Sequence, residues 1–160
     1  MQGIMKISIG VREESLEQVS KYLNAVLADE YVLFTKTKKA HWNVEGQDFY
    51  SKHLLFEKQF TELDGIIDDV AERIRTIGHF VTGSLKDFLS LSHMTEKSIN
   101  GNDSIGFIAD LLEDHQTIIV KIREILENKE GFLDLGTNDF MSGVMAAHEK
   151  MAWMLRSSLK

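Results

Sequence analysis

At 160 residues the chain has the length of one domain, enough to bury a sizeable core, and its 43% hydrophobic content excludes a disordered chain. No apolar run approaches the ~18–20 residues of a membrane span, and zero cysteines exclude a disulfide framework and any thiolate metal site. The formal charge of −7 repels nucleic acid and suits cations better.

No leader with a small-residue cleavage site is visible, so a cytoplasmic location is expected. The complete absence of proline favours long uninterrupted helices. Residues 1–13 read as a short N-terminal segment without a helical apolar stripe. Met5 offers a second start, so residues 1–4 are left out of the fold reading. Residues 14–160 read as a single domain.

From about Glu14, the residues Leu16, Val19, Leu23, Val26, Leu27, Tyr31 and Phe34 recur at three- and four-residue steps, predicting a first helix to Trp42. Asn43–Gly46 reads as a turn, with Asp48 as the N-cap of a second helix over 49–77. Leu55, Phe56, Phe60, Leu63, Ile66, Val70 and Ile74 form its stripe, and Gly78 ends it. The stretch from 78 to about 102 is too long for a hairpin, and residues 84–89 within it read as a short capped helix. A third long helix is expected over 104–127 and a fourth over 138–157. The fold class is all-α: a ferritin-like four-helix bundle with a short extra helix in the long crossover between helices 2 and 3.

Five potential metal ligands fall between positions 41 and 72. His53 and Glu57 are four apart on one helix face, as are Asp68 and Glu72, while His41 precedes the turn leading to His53. Imidazole with carboxylate suits iron, and also zinc or manganese. Spacing alone is a weak signal, because an i,i+4 carboxylate pair is usually a solvated face. Glu57 and Asp68 are 11 residues apart, which is about 16 Å of helical rise. Metal–ligand bonds are only about 2 Å long, so one chain cannot close both pairs on one ion. If all five serve one site, a two-fold partner must supply half of it. No glutamate has a histidine three residues later, which argues against the usual in-bundle di-iron motif.

The run His41-Trp42-Asn43-Val44-Glu45-Gly46, followed by Phe49, His53, Phe56-Glu57, Asp68 and Ala71-Glu72-Arg73-Ile74, resembles the Dps family, the bacterial and archaeal miniferritins. The segment His148–Arg156 is similar to the end of that family's fourth helix, and the likeness spans about residues 15–158. The resemblance implies hollow twelve-subunit cages built from two-fold dimers. It implies ferroxidase sites at the two-fold interfaces, with His41, His53 and Glu57 from one chain and Asp68 and Glu72 from the other. Glu57 is often aspartate in the family. Iron would be oxidised from Fe²⁺ to Fe³⁺ with hydrogen peroxide as co-substrate and stored as ferric mineral, which protects against oxidative stress.

The resemblance further assigns Glu130, Asp134 and Asp139 as acids of an ion pore, against the alternative of an ordinary solvated loop. Trp42 is a candidate radical quencher or a packing residue. His79, His93, His115 and His148 match no ligand role and read as structural or surface histidines. The alternative function, nucleoid compaction with iron secondary, lacks lysine-rich tails: the termini offer Lys6 and Arg12, then Arg156 and Lys160. The run Lys36, Lys38, Lys39 reads as a solvated face. DNA binding is expected to be weak or absent.

Overall fold

In the computed structural model, residues 7–96, 101–128 and 134–160 are described. They form helices α1 (Glu13–Asn43), α2 (Phe49–Thr76), α3 (Leu85–Leu91), α4 (Ser104–Leu126) and α5 (Leu135–Ser157). The α1 stripe is buried over Leu16, Val19, Leu23, Val26 and Leu27, as its period predicts, and half-buried at Tyr31 and Phe34; Leu33 joins the core beside it. Phe56, Leu63 and Ile74 of α2, Ile108, Leu111, Ile118 and Ile122 of α4, and Met141, Met151 and Leu155 of α5 complete it. Each such side chain contributes about 1.5–3 kcal/mol on burial, so the core holds the bundle. Among the described residues, no helix is long and apolar enough to cross a membrane.

The turn between α1 and α2 is tight. Val44 donates to the Ala40 carbonyl, and Gly46 takes φ 121°, a left-handed conformation that a side chain would strain. Asp48, expected as N-cap, makes no side-chain cap hydrogen bond. Its carboxylate instead accepts from Ser104 Oγ at 2.6 Å, and Glu45 N–H donates to the Asn102 carbonyl at 2.9 Å. These bonds fasten the turn to the start of α4. At the far end of α2, Gly78 at φ 90° and the His79 N–H···O=C Ile74 bond close the helix as expected.

The short α3 is capped by Ser84 Oγ, which accepts from Asp87 N–H. Phe88 stacks on Tyr31 with centroids 4.5 Å apart, docking α3 onto α1. Beyond it, buried Asp29 accepts from Ser92 Oγ and from His93 N–H, pinning the crossover. The fourth long helix begins at Leu135, earlier than the expected 138, because Asp134 accepts from Thr137 N–H and starts the helix there.

The helices pack mainly as two pairs, α1 with α2 and α4 with α5. Polar contacts tie one pair to the other through the core. Gln59 Nε2 donates to the Met151 carbonyl at 3.1 Å, and His148 Nε2 meets Glu30 Oε1 at 2.7 Å. Lys36 reaches Asp110 at 3.1 Å and Asp114 at 2.5 Å. The basic run is therefore not one solvated face. Lys36 is buried and ion-paired, and Lys38 lies over the rings of Phe34, Trp42 and Phe60 at 5.2, 5.7 and 4.8 Å. A neutralised, buried cation offers nothing to a phosphate backbone.

Candidate metal centre

His41 closes α1 and His53 lies in the second turn of α2, so the tight loop between them folds one onto the other. Their rings stack with centroids 3.8 Å apart. His41 Nδ1 lies 3.0 Å from the His53 carbonyl oxygen, and His53 Nδ1 lies 2.8 Å from that of His41. A carbonyl only accepts, so each Nδ1 carries the proton and donates. The tautomer is thereby fixed: a neutral ring held this way has its lone pair on Nε2, the form a metal requires. Phe60 meets the His41 ring edge-on at 5.1 Å, and Phe49 lies 5.1 Å from His53. These aromatic neighbours set the orientation of the stack.

Glu57, Asp68 and Glu72 all lie exposed on α2. The helix is unbroken from Phe49 to Thr76, so the rise between Glu57 and Asp68 stands at about 16 Å. Among the described residues of a single chain, no three histidine or acidic side chains converge where a metal ion could be held. His41, His53 and Glu57 occupy one end of α2, and Asp68 and Glu72 lie towards the other. Around the first group, Trp42, Phe49, Tyr50 and Leu54 are large apolar side chains left exposed.

The other sequence candidates fare differently. Asp134 is engaged rather than presented to solvent: its Oδ1 accepts from Arg73 Nη2 at 2.9 Å and Thr137 N–H at 3.0 Å, and its Oδ2 from Thr137 Oγ1 at 2.6 Å. Burial pushes its carboxyl up, but the Thr137 hydrogen bonds and the Arg73 charge outweigh this and hold it below the usual range. Gly136 makes room for the pair, since a Cβ there would stand 3.0 Å from Arg73 Nη2. Asp139 is exposed on α5, whereas Glu130 and Lys6 lie outside the described residues. Trp42 is 67% exposed and carries the Lys38 ammonium over its ring.

Glu30, His115 and His148 are fully buried in the bundle core, a placement the motif reading missed for Glu30. The signal was present in the periodicity. Glu30 continues the register of Leu23 and Leu27, His115 that of Leu111 and Ile118, and His148 that of Met141 and Leu155.

This bundle, with its paired-histidine corner and its carboxylates split along one helix, defines a ferritin-like protein. A ferritin-like domain family model matches residues 20–160. The chain is 40% identical to an uncharacterized low temperature-induced protein of Nostoc sp., over 97% of this chain and 87% of that one. It is 35% identical to DNA protection during starvation protein 2 of Bacillus anthracis, over 89% and 97%. Among solved structures it is similar to the Dps protein of Vibrio cholerae O1, with TM-score 0.89, 29% identity and both chains covered in full. That protein is described as a member of a broad superfamily of ferritin-like diiron-carboxylate proteins. DpsC from Streptomyces coelicolor superposes with TM-score 0.92 at 27% identity, covering 98% and 92%. The chain belongs to the Dps family.

Proposed function

We propose that this protein is a cytoplasmic ferroxidase and iron-storage miniferritin that oxidises Fe²⁺ at sites shared between subunits of a twelve-chain cage. The observation that carries the reading is the reciprocal locking of His41 and His53, which commits both Nδ1 atoms to backbone carbonyls and leaves Nε2 as the metal-binding nitrogen of each adjacent ring. Family membership and the diiron-carboxylate description of the Vibrio relative support iron as the substrate.

In this reading His41, His53 and Glu57 of one subunit face Asp68 and Glu72 of its two-fold partner. The histidines bind as neutral donors, and the carboxylates favour the ferric product through their charge. Each hydrogen peroxide takes two electrons, one from each of two ferrous ions, so no one-electron reduction to hydroxyl radical is needed. Asp139 and Glu130 serve as acids that draw cations toward the interior. Asp134, tied to Arg73, shapes the start of α5.

Anaerobic Fe²⁺ loading followed by peroxide tests the activity through ferric absorbance. Wild-type protein should oxidise iron rapidly, and His41→Ala should be slower by at least about 100-fold, the upper end of what losing even a supporting residue costs. A wild-type rate in His41→Ala would overturn the assignment.

A further inference from the structure

Three titratable groups that the iron site does not use are wholly buried at mid-bundle. Glu30 comes from α1, His115 from α4 and His148 from α5. They form an open chain: His148 Nε2 lies 2.7 Å from Glu30 Oε1, and His148 Nδ1 lies 2.9 Å from His115 Nδ1. Two hydrogen bonds in series need one proton in each gap. With Glu30 ionised and His148 neutral, His148 Nε2–H donates to the carboxylate, leaving His148 Nδ1 to accept from His115 Nδ1–H. The tautomers are then determined, and His115 Nε2 is left as a bare lone pair. That atom has no hydrogen-bond partner among the described residues.

We infer that Glu30, His148 and His115 form a proton-operated lock across the bundle core, closed while His115 is neutral and released by acid. Two buried atoms of these three residues lack a hydrogen-bond partner among the described residues, His115 Nε2 and Glu30 Oε2; a proton placed on His115 Nε2 finds no acceptor, and the imidazolium is shut away from solvent. The groups facing this site from each packed element agree with that direction. From α5 it meets His148, which in this arrangement is neutral and accepts its hydrogen bond, and α2 contributes the uncharged Gln59 to the core. From α1 the one acid in this hydrogen-bonded series is Glu30, and it lies beyond His148; Tyr22 of the same helix interacts with both Glu30 and Asp29. On α4 itself, Asp114 is turned to Lys36. Burial, then His148, holds His115 well below the ordinary histidine range.

The sign follows. Unfolded histidine takes its proton near pH 6.5, whereas folded His115 does not. Stability is full above that pH and falls as pH drops below it. The lock joins α1 to the α4–α5 pair, so acid loosens the seam between the two helix pairs. A metal site is not the reading, because the three groups are strung in line and do not converge.

Proton uptake on guanidinium unfolding of the assembled protein at pH 5.5, followed with an indicator in weak buffer, tests this. Wild type should take up about one more proton per chain than His115→Gln, whose amide still donates to His148. Equal uptake would overturn the proposal. If that variant does not fold, nitrogen-15 solid-state NMR of histidine-labelled wild type at pH 5 decides. One ring nitrogen of His115 should remain unprotonated in the folded protein. Full protonation of every histidine ring would contradict the lock.

Discussion

Cages assembled from equal amounts of His53→Ala and Asp68→Ala chains should regain about one quarter of the wild-type ferroxidase sites, although each variant alone is inactive. The fraction follows from the two-fold arrangement. Each site takes His53 from one chain and Asp68 from its partner, so only a mixed dimer contains an intact site, and it contains one of its two. Half of randomly formed dimers are mixed. The physical basis is the length of α2, which separates Glu57 from Asp68 by about 16 Å and prevents either chain from closing a site alone. Peroxide-dependent ferric absorbance of the dissociated, mixed and reassembled protein measures it. No recovery would mean that the five residues do not share one intersubunit site.

Lys36→Met should destabilise the fold by about 3–5 kcal/mol, the cost of leaving a buried charge without its partner. Lys36 is 8% exposed and bridges Asp110 and Asp114, so removing its ammonium strands two carboxylates at the α1–α4 seam. It also deprives the Thr95 carbonyl of its donor. Burial, opposed by Lys36, already raises Asp114 above the usual carboxylate range, so this acid tolerates the loss worst. Adding Asp110→Asn and Asp114→Asn should recover much of the loss by removing the stranded charges. Guanidinium midpoints at one fixed chain concentration make the comparison, since assembly contributes to apparent stability. A single variant as stable as wild type would show that the ion pair is dispensable.

The periodicity of apolar residues located all four long helices, because burial of one face dictates it, and the capping pattern at Ser84 located the short crossover helix. Boundaries set by a specific hydrogen bond were less legible. Asp134 starts α5 earlier than the apolar stripe suggests, since the cap depends on Thr137 and on Arg73 from another helix. Asp48 has the chemistry of an N-cap, yet Ser104 claims its carboxylate from 56 residues away. Such partners are set by tertiary structure and leave no local mark.

The candidate site shows the same division. The five ligand types and their spacing can be read directly, and so can the impossibility of closing them within one chain. The stacked, reciprocally bonded histidines cannot, because that geometry arises from the angle between α1 and α2. The lysine run misled for a related reason. Lys36 looks solvated beside Lys38 and Lys39 until α4 brings two acids to it.

Anomalous diffraction at the iron edge, from crystals loaded anaerobically with Fe²⁺, tests the central claim most directly. The account predicts an iron peak about 2 Å from the Nε2 atoms of His41 or His53, with Asp68 and Glu72 of a two-fold-related chain closing the coordination. Iron held entirely by residues of one chain, or none beside His41 and His53, would contradict it.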